Sequence, residues 1–416
     1  MASEETNTAG KHAGRLPAVR IEKIVHGGLG LARLEGRVVL VSDVLPGETV
    51  RIRLKRECPG HLEACLEEVL EAAPGRVPPP CPYFPRCGGC RLQHADYSLQ
   101  VDIKRAILLE DLRRLGGVEL PGEVALITGP PWAYRNRAQF HLDGRNIGYF
   151  EAGSHRLCPA EHCLVASPAV NRTLALLKEM ISDARFPRFL RSLEVFTNEA
   201  QVQLNVTACQ GGRAPARRFF QWCAKRMPSV MQGALDYRTG GETYRVGYRS
   251  FFQINRFLIE DLIRCAVQDA QGETALELYA GVGLFSLPLA RRFSRIAAVE
   301  SNPAAARDLE FNAQRAELPI RVHKLPAEHY LAALSETPEF VLADPPRAGL
   351  GPRVTRELLR LRPPRLTIVA CDSATLARDL RLLAAGGYRL AKLTLVDLFP
   401  QTHHLEAVAA LQTNQP

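Results

Sequence analysis

The residues best suited to chemistry lie toward the carboxyl end of the chain. Cys371 closes the apolar run RLTIVA and precedes DSATLARDLRLL, which reads as a helix capped by Asp372 or Ser373. A cysteine at the exposed mouth of a sheet, beside the positive end of a helix, is expected to have a lowered pKa and to serve as a nucleophile. Judged alone, such a cysteine is more commonly a small buried apolar residue. His403, His404 and Glu406 follow just before the last apolar run. Glu406 is a general base if it faces the Cys371 pocket and a rim charge if it does not; local sequence leaves both readings open.

A second group has the pattern of a nucleoside site. Residues 276–290 read LELYAGVGLFSLPLA, so Gly281 and Gly283 come directly after an apolar strand and before a helix. Glycines there let the backbone approach a ligand closely, and Glu300, 19 residues beyond Gly281, ends the next strand where a carboxylate can accept both ribose hydroxyls. Asp344 follows the strand FVLA and is stiffened by Pro345 and Pro346, which puts it at the sheet edge where ligands bind. A structural turn is the competing reading at both places. No Gly-x-x-x-x-Gly-Lys-Ser/Thr element is present, which disfavours a phosphate-cradling ATPase loop.

A third group is made of thiols. Cys81, Cys87 and Cys90 have the spacing C-x5-C-x2-C among Pro and Gly residues, and Cys158 follows later, with Cys163 as a competitor for the fourth position. Eleven cysteines in a chain without a secretory signal point to reduced thiols used for metal or catalytic chemistry. Four thiolates suit zinc or an iron–sulfur cluster equally, so ligand count alone does not choose between them. Cys58, Cys65, Cys209, Cys223 and Cys265 read as small packing residues.

These groups need elements to hold them. Residues 1–15 form a polar tail expected to be disordered. Residues 16–75 show short β-branched runs separated by glycines, as in a small barrel. Pro78, Pro79 and Pro80 mark a boundary, and a central domain is expected over 76–250. It contains an amphipathic helix over 96–115 and a hairpin over 134–150 that turns at Asp143-Gly144. Between Arg185 and Arg226 stand eight Lys or Arg and two acidic residues, with Phe219, Phe220 and Trp222 among them. That pattern fits either a single-stranded nucleic-acid surface or a solvated helix over core aromatics. From residue 251 to 416, strands and helices alternate as in a parallel sheet wound on both faces. A formal charge of +9, from 53 basic and 44 acidic residues, favours a polyanionic partner. Neither a membrane-length apolar run nor a secretory signal is found, so the expected location is cytoplasmic.

In order along the chain, FFQIN (251–255), LELYAGVGLFSLPLA (276–290), Glu300, LADPPRAGL (342–350), ACDSATLARD (370–379) and DLFPQTHHLEAV (397–408) resemble the RNA uracil-C5 methyltransferases. This is the family of the 23S rRNA and tRNA (uracil-5-)-methyltransferases, and the likeness covers nearly all of the chain after the tail. It implies an α/β fold: a Rossmann-like S-adenosylmethionine-dependent methyltransferase domain, an amino-terminal OB-like TRAM barrel and a central α+β iron–sulfur domain. It implies that Cys371 is the nucleophile, that Glu406 is the proton-abstracting base, and that Gln253, Tyr279, Glu300 and Asp344 join Gly281 and Gly283 around S-adenosylmethionine. It further implies a four-iron four-sulfur (4Fe-4S) cluster on Cys81, Cys87, Cys90 and Cys158, a feature of the ribosomal branch, and hence a monomeric enzyme acting on 23S rRNA. A tRNA enzyme and a non-catalytic RNA-binding protein are the alternatives. Leu284, Tyr279 and Asp372-Ser373 depart from the family's usual residues.

Overall fold

The computed structural model describes residues 17–118, 120, 122–211 and 217–413; the expected tail 1–15 lies outside them. The amino-terminal strands form a six-stranded sheet in the order Ala18–Arg20, Thr49–Cys58, His61–Glu71, Arg37–Val41, Gly30–Leu34, Lys23–Ile24. Alternate residues point inward, so Val39 and Val41, Val50 and Ile52, and Leu62 and Ala64 make its small core.

A second six-stranded sheet runs Leu157–Pro159, Asn146–Phe150, Arg137–Asp143, Leu190–Thr197, Val202–Cys209, Val230–Met231. The expected hairpin is its centre, with Gly144 turning at φ +60°. Helices Pro168–Ile181 and Arg217–Arg226 pack against it. Phe219 and Cys223 are buried among Leu174, Leu177 and Phe186, so Phe219 is a core residue and not a stacking platform. Trp222 is partly covered and carries the Arg185 guanidinium 4.8 Å from its ring centre.

The carboxyl-terminal part is an eight-stranded sheet in the order Ile320–His323, Phe293–Val299, Gly272–Leu278, Phe340–Ala343, Arg365–Ala370, Glu406–Thr413, Tyr388–Val396, Ala125–Ile127. The first five strands are parallel, as the alternating pattern predicts. Glu406–Thr413 instead runs antiparallel to both of its neighbours. A fully parallel sheet would have required a long crossover before it; here a short loop, 397–405, turns the chain straight back.

Ala125–Ile127 reaches this sheet from the middle of the chain, and so does the helix Tyr97–Asp111. Asp96 caps that helix by accepting the Leu99 N–H at 2.8 Å, and the coil continues as a π-turn over Leu112–Gly116. Ile103, Ile107, Leu108 and Leu112 sink into the same core as Leu276, Leu376 and Leu380.

One buried ion pair fixes this packing. Lys104, fully covered on that helix, donates to Asp397 Oδ1 at 2.6 Å and to the Phe399 carbonyl at 2.9 Å. Burial pulls the ammonium below its ordinary pKa and the Asp397 carboxylate opposes that. Replacing Lys104 by Ala, which strands a buried carboxylate, is predicted to cost about 3–5 kcal/mol in denaturant unfolding. The double replacement Lys104→Met with Asp397→Leu should cost clearly less; equal losses would show that the pair does not carry the packing.

Candidate active site

The antiparallel strand pair brings two reactive groups together. Ala370 faces Ala407 across the ladder, so one step further along the same register Cys371 comes opposite Glu406. Directly opposed side chains in such a pair sit roughly 5 Å apart at Cβ. Cys371 is partly exposed and Glu406 is 3% exposed. Asp372, not Ser373, caps the following helix by accepting the Thr375 N–H at 2.9 Å, and Ser373 Oγ donates to Asp111 at 2.5 Å.

Cys371 opens into a cavity of about 110 Å³ that Arg347, His403 and His404 line together with His26 and Gly27 of the amino-terminal barrel. The barrel approaches so closely that a Cβ on Gly28 would lie 2.7 Å from the His403 Cβ. Arg347 Nη2 is 3.5 Å from His404 Nδ1. Nothing in the local sequence around residue 26 or 347 announces either neighbour.

The electrostatics correct one expectation. Burial and the charges of Glu406 and Asp344 push the Cys371 thiol up to about 11, while Arg347 pulls the other way. The helix start therefore does not make a free thiolate, because burial, helped by the two carboxyl groups, outweighs it. Burial, then Asp344, holds Glu406 well above the usual carboxylate range, again opposed by Arg347. Asp344 is raised to about 7 by burial. Burial and neighbouring cations lower His403 to about 4 and His404 to about 3, so both rings are neutral at pH 7.

The nucleoside-type residues meet at the carboxyl ends of the parallel strands. Glu300 accepts the Gly281 N–H at 2.8 Å on one oxygen and the Asn302 N–H at 2.6 Å on the other, leaving each oxygen lone-pair capacity for a ligand. Gly281 has φ +55° with open space where a Cβ would be, and Tyr279 holds φ +61°, a backbone that a tyrosine keeps only under constraint. A Cβ on Gly283 would collide with Leu309. Gln253 is 4% exposed, and its carbonyl accepts from Asn136 at 3.1 Å. Leu284 is buried in the core behind this loop.

The thiols fall into two settings. Cys81, Cys87 and Cys90 line one cavity with Cys163, and Cys158 is not among its walls. The charge of Cys163 bears on all three of these thiols, that of Cys158 only on Cys87. Cys158 lies on strand Leu157–Pro159, where its Sγ accepts from the Arg86 guanidinium at 3.4 Å and its charge bears on Cys87. Arg135 also lines the cavity, with its Nε buried and unpartnered.

Comparison with known proteins agrees with this layout. The family model "tRNA (Uracil-5-)-methyltransferase" matches residues 231–414, and that of the TRAM domain matches residues 13–66. A 23S rRNA (uracil(1939)-C(5))-methyltransferase, RlmD, of Pectobacterium atrosepticum is 33% identical over 92% of this chain and 90% of its own. An RNA methyltransferase of Aquifex aeolicus is 30% identical over 94% of this chain and 97% of its own. The tRNA (uracil-54, C5)-methyltransferase of Pyrococcus abyssi, solved with S-adenosyl-L-homocysteine, superposes with TM-score 0.76 at 24% identity over 94% of this chain and all of its own, which establishes a common fold.

The raised thiol gives a direct check. Alkylation of Cys371 by iodoacetamide, followed on its own peptide by mass spectrometry, should rise roughly tenfold per pH unit from pH 7 to about 10. A rate already level by pH 8 would mean that the carboxyl groups do not act on it.

Proposed function

The chain belongs to the RNA uracil-C5 methyltransferases, S-adenosylmethionine-dependent enzymes, and we propose that within this family it methylates carbon 5 of a uridine in 23S rRNA through a covalent Cys371 adduct. The observation that carries the reading is the opposition of Cys371 and Glu406 at one end of an antiparallel strand pair. A binding module has no need of a nucleophile and a buried carboxyl group set opposite each other at a strand end.

Carbon 5 of uracil is too weak a nucleophile to take a methyl group unaided. Cys371 Sγ, once its proton is lost, adds to carbon 6, and the electrons of the ring double bond move toward the carbonyl oxygen and activate carbon 5. S-adenosylmethionine supplies the methyl group on a sulfonium, open to in-line displacement. Gly281, Gly283, Glu300, Asp344, Tyr279 and Gln253 are the residues we assign to holding it. Glu406 then takes the carbon 5 proton, the ring double bond re-forms, and the Cys371 S–C6 bond breaks. Burial favours the protonated forms of Cys371 and Glu406 in the free protein and Arg347 opposes this, so both release their protons to water before the ring enters, which leaves the thiolate to attack and the Glu406 carboxylate to accept the carbon 5 proton. The target base must leave its stack to reach a cavity this deep.

The 23S rRNA relatives at 33% identity support a ribosomal substrate. A metal centre at Cys81, Cys87, Cys90 and Cys163 fits it too. We assign it as a four-iron four-sulfur cluster on the likeness to the ribosomal branch of the family, and the buried Arg135 guanidinium would offset the negative charge of such a cluster. The part of the chain around it, 76–250, serves as the iron–sulfur and RNA-positioning domain, between the barrel of 16–75 and the catalytic part of 251–416. We place the enzyme in the cytoplasm as a monomer.

RNA containing 5-fluorouridine cannot lose a proton at carbon 5, so the enzyme should stall on it as a denaturant-resistant complex that requires S-adenosylmethionine. Cys371→Ala should form none, while Glu406→Gln should accumulate the complex even with ordinary uridine. Equal yields from the two variants would refute the assigned roles. 5-Methyluridine appearing in tRNA rather than 23S rRNA when both are offered would replace the ribosomal reading by the tRNA one.

A further inference from the structure

Gln401 sits between the thiol cavity and the active site, with its carbonyl, its N–H and its side-chain oxygen all engaged. It is 2% exposed and holds φ +67°, a backbone that a non-glycine residue keeps only where its surroundings over-determine it. Its carbonyl accepts the N–H groups of Arg91 at 2.8 Å and Leu92 at 3.0 Å, the two residues that follow Cys90. Its own N–H donates to Gln100 Oε1 at 2.8 Å, and Gln100 Nε2 returns a bond to Gln401 Oε1 at 3.0 Å. Beside it, the Pro400 carbonyl accepts the Tyr134 hydroxyl at 2.9 Å, and the next residue, Arg135, lines the thiol cavity. On the other side, His403 and His404 line the Cys371 cavity, and Glu406 begins the strand that presents it.

We infer that Gln401 is a positioning residue that couples filling of the site made by Cys81, Cys87, Cys90 and Cys163 to the placement of His404 and Glu406 around Cys371. The inference rests on the metal reading of those thiols given above. The coupling runs through main-chain atoms of Arg91 and Leu92, so it depends on where the Cys87–Cys90 turn lies, not on side-chain identity at 91 and 92. That turn contains Gly88 and Gly89 and is held at its start by the Gly88 N–H on the Phe150 carbonyl at 2.9 Å; a filled site would tie it at both ends, through Cys87 and Cys90, and thereby fix the two N–H groups that hold Gln401. An emptied site frees them, and the left-handed residue loses the contacts that keep it so.

The test uses the full chain purified without oxygen and then depleted of iron by a chelator. Hydrogen exchange should speed up in peptides covering 88–95 and 397–405 while the barrel, 18–71, keeps its protection. Adduct formation on 5-fluorouridine RNA should slow by about 10- to 100-fold, the cost of a catalytic group shifted by about an ångström, with S-adenosylmethionine affinity unchanged within about twofold. Gln100→Ala in iron-loaded protein should keep its iron, show the same slow adduct formation, and lose little more when iron is removed. Unchanged exchange at 397–405 after depletion, loss of protection spread equally over the barrel, or additive effects of Gln100→Ala and depletion would each overturn the link. Protein that never carries iron at these thiols refutes the iron–sulfur reading and the link together, whereas iron present with an indifferent loop refutes the link alone.

Discussion

Antiparallel hydrogen bonding between Arg365–Ala370 and Glu406–Thr413 fixes where chemistry can happen in this molecule. In a parallel sheet every strand ends at the same edge, so a residue that begins a strand lies a full strand length from one that ends its neighbour. Reversal of the one strand brings Glu406, at a beginning, beside Cys371, at an end. The five parallel strands deliver Gly281, Glu300 and Asp344 to that same edge. One reversal in an otherwise regular sheet therefore gathers a nucleophile, a base and a nucleoside site without any long loop.

The reversal places unusual demands on the loop 397–405, which must turn within a crowded, mostly buried space. Its anchors come from distant parts of the chain: Lys104 on Asp397 and Phe399, Asn255 on the Leu398 carbonyl at 3.1 Å, Tyr134 on Pro400, and Gln100 on Gln401. Buried polar groups such as these are costly unless satisfied, so the network resists any alternative path for the loop. The crowding has a chemical consequence. Three acids, Cys371, Glu406 and Asp344, share one poorly hydrated region and all are displaced toward their protonated forms, with Arg347 opposing this at Cys371 and Glu406.

Much of the fold could be read from the residues alone because the signals were local. Phe340–Ala343 is the strand FVLA read before Asp344, and Arg365–Ala370 spans the run RLTIVA that Cys371 closes, since apolar runs between turn residues mark them. Cys371 and Glu406 were each legible as candidates, but not as a pair, because the direction of the last strand is a tertiary property. The direction of the thiol's pKa shift is tertiary too: helix position is visible in sequence, whereas the burial that outweighs it, and the carboxyl groups of residues 344 and 406 that add to it, are not. Cys158 and Cys163 lie five positions apart, and only the course of strand Leu157–Pro159 decides which faces the cavity. Lys104 and Asp397 are 293 positions apart, and no local pattern marks them as partners.

The central claim is that Cys371 sulfur bonds to the pyrimidine ring. It is tested most directly by carbon-13 NMR of a substrate RNA fragment labelled at carbon 6 of the target uridine and bound to Glu406→Gln protein with S-adenosylmethionine. The account predicts that the carbon 6 resonance leaves the unsaturated range and appears among saturated carbons bonded to sulfur, and that it does not move when Cys371 is also replaced by Ala. A carbon 6 signal that stays unsaturated while methyl transfer proceeds would contradict it.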